Sequence, residues 1–346
     1  MRLGVLADNL LEWLALHLGL VPVPFLQTLH AVGLGRVLMG ATRLGIFEAL
    51  AKGPLPAAEV ARACGLTEDG ARRVLEVLAS SGYLRRRGEL YALTRLSRRW
   101  LLRDSPVSLH DSMLFRYLEW EYIERAEDYV RTGSPVRMHE EMTPEGWELY
   151  QRGMRSLARL SAPEVARKVP VPKHPRRMLD VGGAHGLLSV ALCRRYPGLR
   201  AEVLDLPEAV EASRPLLAQE GMGDRVVHLV GDARYQDLGE GLYDLVLVAN
   251  LIHHFDEPTN RDLCLRIARA LRPGGYLAVV DTFGTGARRG QLEALADLYF
   301  ASTSLSGAWP LESVTTWQRD AGLAPQRYRR LVTMPGFGIQ AASKPR

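Results

Sequence analysis

The chain has 346 residues, enough for two domains at about 100–200 residues each. With 47% hydrophobic and 24% charged residues it can build real cores, and its net charge of +5 comes from arginine spread along the chain, which identifies no partner by itself. Cys64, Cys193 and Cys264 are odd in number and widely spaced, which excludes a disulfide framework and a CxxC metal pattern and fits a cytoplasmic location.

The N-terminus, Met1-Arg2-Leu3-Gly4, carries one basic residue with Asp8 and Glu12 close behind, a poor signal peptide. Leu10 to Leu38 is apolar but interrupted by Glu12, His17, Pro22, Pro24 and Arg36. A membrane span needs about 20 mostly apolar residues without such breaks, so this stretch reads as buried or interface helix. Gly33 to Ala51 has apolar residues at helical spacing. A short helix follows from Leu55 to Ala63, ended by Gly65; Thr67 then caps a second helix, Glu68 to Ser80. Gly82-Tyr83-Leu84 begins a strand, Arg85-Arg86-Arg87-Gly88 reads as a turn, and Leu90 to Leu93 returns. Helix, turn, helix and two-stranded ribbon make a winged-helix pattern.

Helical segments rich in aromatics and methionine come next, Leu109 to Val130 and Thr143 to Lys168. Most of these side chains serve as core; Phe115, Trp147, Tyr150 and Met154 are candidates to line an acceptor pocket, with Tyr299 and Phe300 from further along. A proline-rich linker, Val169 to Arg176, leads into a different pattern. Short apolar runs at 177–181, 201–204, 226–230, 245–248 and 277–280 alternate with amphipathic helices. This is an α/β, Rossmann-like doubly wound and mostly parallel sheet, with Gln326 to Ala342 supplying an antiparallel edge. The domain division is 1–105, 106–172 and 173–346.

The first of these strands runs into Asp180-Val181-Gly182-Gly183-Ala184-His185-Gly186, a Gly-rich turn that lets backbone approach a ligand closely. The second ends in Asp205-Leu206, where an acid can accept ribose hydroxyls, and the third in Asp232-Ala233, where a carboxylate can reach an adenine amino group. Each acid alone could be a helix cap. Together, at the carboxyl ends of successive strands, they mark a nucleoside site. The dinucleotide pattern G-x-G-x-x-G is absent, and Asp180 favours a cationic ligand. S-adenosylmethionine (SAM) carries an ammonium and a sulfonium and no phosphate.

Residues 177–283 resemble the catalytic domain of class I SAM methyltransferases. From about Gly33 onward the chain resembles the O-methyltransferases of plant phenolic, hydroxyindole and bacterial antibiotic metabolism. The resemblance implies that Gly182 and Gly183 hold the amino acid part of SAM, Asp205 with Leu206 the ribose, and Asp232 with Ala233 the adenine, with Asp180 and Asn250 also at the cofactor. It implies a homodimer joined through the winged-helix domain, acting on a small-molecule acceptor, with no nucleic-acid or membrane partner.

The fourth strand ends in Asn250-Leu251-Ile252-His253-His254-Phe255-Asp256, where the family has His-Asp-Trp and its histidine is the general base. This carries the base to His253 and puts His254 in place of the aspartate. A phenol of pKa near 10 needs such a base at neutral pH, and an imidazole near 6.5 suits the task. Asp281, ending the fifth strand, stands where the family often has a glutamate that orients the histidine. A second supporting glutamate is missing around Gly307 to Pro310. No third ligand is placed by spacing near His253, His254 and Asp256, so no metal is expected. Two rival readings remain: a C-methylating or non-methylating SAM enzyme on the same scaffold, and a SAM-responsive DNA-binding regulator. Against the second, the presumed recognition helix opens on Glu68-Asp69.

Overall fold

A computed structural model describes residues 4–284 and 290–346. The chain divides into two compact units, Arg2–Tyr117 and Leu118–Arg346. The division falls inside the helix His110–Glu124, so the sequence-based segment 106–172 straddles it. Met1 to Leu3, part of the leader reading, lie outside the described residues.

In the N-terminal unit the apolar stretch 10–38 is broken into Leu10–His17, Val23–Phe25, a π-helical segment Leu26–Ala31 and the start of Val32–Arg43. Pro22 and Pro24 cannot donate to a continuing ladder, which explains the interruption. Expected as buried or interface helix, the segment is not buried within this chain: Leu10, Leu11, Leu18 and Leu20 are each about 70% exposed or more. No helix among the described residues is long and apolar enough to cross a membrane. The helices Ala57–Cys64 and Glu68–Ser80 sit where the pattern put them. Gly65 takes the left-handed conformation that ends the first (φ 65°), and the Thr67 hydroxyl accepts from the Gly70 N–H at 3.2 Å to start the second.

Three strands complete this unit, β1 (Leu55–Pro56), β2 (Leu84–Arg87) and β3 (Leu90–Leu93), in the order β1-β3-β2. The arginines expected in a turn instead extend β2, with Arg87 opposite Leu90. The turn itself is only Gly88-Glu89, because Gly88 (φ 59°) supplies the left-handed residue a tight hairpin requires. Ile46, Phe47, Leu50, Val60, Leu75 and Leu78 form the core beneath them.

The C-terminal unit holds β4 (Arg177–Val181), β5 (Arg200–Asp205), β6 (Val226–Val230), β7 (Tyr243–Ala249), β8 (Leu271–Thr282), β9 (Ala324–Pro325), β10 (Arg329–Arg330) and β11 (Phe337–Ser343). Its sheet runs β10-β11-β8-β7-β4-β5-β6, with β9 also on β11. Strands β4 to β8 are parallel; β11 pairs antiparallel with β8, the edge expected from the C-terminal sequence. Every residue of β7 is buried, as its continuous apolar run requires of a central parallel strand. Helices Leu187–Arg195 and Pro144–Lys168 cover one face, and Glu257–Ala270 with Leu311–Asp320 the other, each over its own apolar core. The chain leaves β4 toward β5 on one side and β7 on the other, so a topological switch lies at the carboxyl end of β4. Open α/β sheets bind ligands at such crevices.

Candidate active site

A solvent-open cavity of about 200 Å³ lies at that switch, lined by Gly182, Ala184, Asp205, Leu206, Asp232, Ala233 and Asn250 from the strand ends. The Gly-rich turn forms its floor. Gly182 (φ 67°) donates its N–H to the Leu204 carbonyl at 2.8 Å and lies against Leu251, while Ala184 takes a left-handed φ of 48°. That strained alanine is held because its N–H donates to Asp205 Oδ2 at 2.7 Å. The Leu206 N–H donates to Asp205 Oδ1 at 2.8 Å. Burial pushes the Asp205 carboxyl up to about 6, and these two N–H groups hold it lower than burial alone would.

Asp180 sits beneath the turn, 1% exposed. Its Oδ2 accepts from the Ser189 hydroxyl at 2.6 Å, while its Oδ1 has no partner. Burial pushes this carboxyl up to about 7; the Ser189 bond opposes the rise and the Asp205 charge adds to it. A folded-state pKa above the unfolded value means the native chain binds the extra proton. Stability from this group is therefore present below about pH 4 and is lost as pH rises through about 7. Asp180→Asn removes the charge, so urea melts of the ligand-free chain at pH 8 should show a gain on the order of 1–3 kcal/mol. The gain should vanish at pH 4; a loss of stability at pH 8 would contradict the argument.

Asp232, read as able to reach an adenine amino group, is held by its own loop. It accepts from the Arg234 backbone N–H at 2.9 Å and is paired with its guanidinium, Nη2 to Oδ2 at 2.6 Å. Arg266 fixes the loop behind them by donating to the Ala233 carbonyl at 2.9 Å and the Gln236 carbonyl at 2.8 Å.

After β7, Asn250 turns the chain with a left-handed φ of 53°, and a 3₁₀ turn Ile252–His254 follows. This turn is bolted in place. The Asn260 amide donates to the Ile252 and Phe255 carbonyls (2.9 and 3.1 Å), the Trp309 indole to the Ile252 carbonyl at 3.0 Å, and the Ser306 hydroxyl to the His253 carbonyl at 3.0 Å. Trp309 and Ser306 belong to the stretch where a supporting acid was sought; they act on the backbone rather than on the imidazole.

His253 Nδ1 lies 2.9 Å from Asp281 Oδ1 and 3.1 Å from Oδ2. Both residues are buried, and Asp281 Oδ1 also accepts the Thr282 N–H at 2.8 Å. An ionised carboxylate can only accept, so Nδ1 carries a proton, and in the neutral imidazole it is Nε2 that keeps the lone pair. The Phe300 ring stacks on the imidazole at 3.8 Å. His253 stands behind the cavity wall, whereas His254 and Phe255 line the cavity directly. His254 Nδ1 is 2.7 Å from the Ser304 hydroxyl, and burial with repulsion from His253 and His139 holds its pKa well below the ordinary value.

Trp147 and Tyr150 line the cavity from the helix Pro144–Lys168. Met154, one turn further on, does not, because the helix axis carries it past the opening. Phe115 belongs to the N-terminal unit, where its ring is buried. The residue missed from sequence is His139. Its ring is 4.7 Å from His254, 5.3 Å from Trp147 and 5.2 Å from Tyr150, and burial pushes its pKa down to about 4, with His253 adding to the fall. A lone histidine in Arg137-Met138-His139-Glu140-Glu141 carries no periodic or motif signal.

In the N-terminal unit, Arg72 and Arg73 pair with Asp69 and Arg86 with Glu76, at 2.6–2.7 Å. Three of the five arginines that could meet phosphates (Arg72, Arg73, Arg85, Arg86 and Arg87) are thus paired with acids of their own chain.

The profile of the O-methyltransferase domain matches residues 120–308, and that of the O-methyltransferase dimerisation domain residues 26–103. The chain is 29% identical to the 3-hydroxy-5-methyl-1-naphthoate 3-O-methyltransferase of Streptomyces sahachiroi, covering 93% of this chain and 95% of that one. It is 31% identical to the mitomycin biosynthesis 6-O-methyltransferase of Streptomyces lavendulae, over 71% and 73% of the two chains. The solved structure of human N-acetylserotonin methyltransferase in complex with SAM has the same fold, with a TM-score of 0.83 at 21% identity over 99% of this chain and 100% of that one. With the family profile spanning more than half the chain over the strand ends that build the site, this protein belongs to the SAM-dependent O-methyltransferases.

Proposed function

We propose that this enzyme methylates a hydroxyl of a small aromatic or polyketide-like acceptor, with His253 as general base, Asp281 as its orienting partner and no metal. The observation that carries this reading is the buried His253–Asp281 pair at 2.9 Å, mounted at the end of the strand beside the Gly-rich turn.

The residues present fit the donor. A Cβ at Gly183 would lie 2.5 Å from Asp180 Cγ, so only glycine leaves backbone at this floor, and Asp180 Oδ1 beneath it is orphaned. Gly182 and Gly183 would hold the amino acid end with Asp180 as the anion behind it, Asp205 and Leu206 the ribose, Asp232 and Ala233 the adenine, and Asn250 the junction with the base. SAM supplies a methyl group already activated by its sulfonium charge, so no Lewis acid is called for. His253 Nε2 takes the acceptor's hydroxyl proton as the oxygen becomes a nucleophile, and Asp281 stabilises the resulting imidazolium. Trp147, Tyr150, His139 and His254 form an aromatic wall with two neutral imidazoles, suited to a flat, uncharged acceptor.

The dimerisation profile and the exposed apolar stretch 10–29 support a homodimer, which light scattering would read as two chains. The three free thiols suit the cytoplasm. Titration of the full chain with SAM and S-adenosylhomocysteine should give micromolar binding of both, followed by methyl transfer to members of a phenol panel. Binding without O-methylation of any hydroxylated aromatic would favour a C-methylating or non-methylating enzyme; binding of neither would overturn the donor site.

A further inference from the structure

The helix Pro144–Lys168 carries a polar group that none of these roles uses. Gln151 lines the cavity beside Gly182, Ala184 and Asp205, and it is fully buried. Among the described residues neither its Oε1 nor its Nε2 has a hydrogen-bond partner. Buried amides left wholly unpaired are rare in folded chains because their desolvation goes uncompensated. The side chain stands on a fixed mount. One turn on, Arg155 is bonded to Gln219 and paired with Glu220, which ties this helix to the end of Pro207–Ala218.

We propose that Gln151 binds the α-amino acid end of the methyl donor, Nε2 donating to the carboxylate and Oε1 accepting from the ammonium. The assignment rests on the donor reading above. A carboxamide offers two donors and an acceptor in one plane, which matches a zwitterion that presents both signs. The ribose hydroxyls are matched instead by Asp205, and the adenine end by the separate loop Asp232–Arg234. Among the described residues Asp180 Oδ1, beneath the Gly-rich turn, is a second unsatisfied acceptor, and Gln151 lines the same cavity as Gly182 and Ala184 of that turn, where the donor's zwitterion would lie.

The test compares S-adenosylhomocysteine with 5′-methylthioadenosine, which keeps the nucleoside and lacks the amino acid. In calorimetric titrations of the full chain, Gln151→Leu should weaken S-adenosylhomocysteine about tenfold or more and leave methylthioadenosine unchanged. The same substitution removes a desolvated amide, so the ligand-free melting temperature should rise by about 2–4 °C. Gln151→Asn, which keeps the amide one methylene short, should show the same tail-specific loss and serves if the leucine variant fails to fold. Equal losses for both ligands, or none for either, would overturn the assignment while leaving the donor site standing. A wild-type chain that bound neither ligand would overturn both.

Discussion

His253→Ala should lower methyl transfer by about 10²–10⁴-fold while S-adenosylhomocysteine affinity stays within about twofold. The imidazole is the only basic nitrogen on this turn whose partner is an anion: Nδ1 faces Asp281, whereas His254 faces a hydroxyl and His139 lies among rings. Its loss leaves a neutral phenol facing the donor, and nothing in the donor site changes. The companion Asp281→Asn keeps the shape but loses the charge that fixes the Nδ1–H tautomer and stabilises the imidazolium. It should fall by a comparable order, with the alkaline-side activity least impaired for acceptors already ionised. Equal activity of His253→Ala and wild type on a phenol of pKa near 10 would remove the general base from the mechanism, and a matching loss of donor affinity would recast His253 as structural. His254→Ala provides the internal control, because burial and the neighbouring imidazoles hold that ring's pKa well below its ordinary value and its Nδ1 faces the Ser304 hydroxyl rather than a carboxylate.

Gly183→Ala carries the second large effect. The added methyl would meet Asp180 Cγ at 2.5 Å and Val203 Cγ1 at 2.7 Å, both on buried side chains of the strands beneath. Neither neighbour is a flexible tip that can swing away, so the turn itself must shift. Overpacking of this kind costs about 1–3 kcal/mol of stability. The shift also lifts the backbone that should meet the donor, so S-adenosylhomocysteine affinity should fall by about 100-fold or more. Thermal melting and titration on one sample check both parts; a variant that binds as wild type would show that the turn does not touch the donor.

Much of the catalytic unit was legible before any coordinates. Strands β4 and β6 and the helix Leu187–Arg195 fall on the residues read from the pattern, because both strands are short apolar runs, the central β4 mostly buried and the edge strand β6 largely exposed, and the helix between β4 and β5 carries one apolar face. Gly182, Asp205 and Asp232 could be placed on one crevice because a parallel sheet puts all its carboxyl ends on one side. The pairing of His253 with Asp281 was a matter of resemblance, and its 2.9 Å geometry follows from β7 and β8 lying adjacent in the sheet.

Other features had no local signature. The segment 10–38 reads as buried or interface helix because apolar composition implies cover, and composition does not say whether that cover comes from the same chain. Asp232 reads from sequence as a strand-end acid, and its pairing with Arg234, two residues on, has no motif of its own. His139, Trp309 and Gln151 act across 50 or more residues of chain or through burial alone, and neither quantity is written in spacing. Periodicity and motif order determined the sheet, the crevice at its strand ends and the strand that presents His253. Which side chains close the acceptor wall, which hold the base's backbone and which polar groups stay unpaired were decided only when distant segments packed, because desolvation and long-range hydrogen bonds exist only in the folded chain.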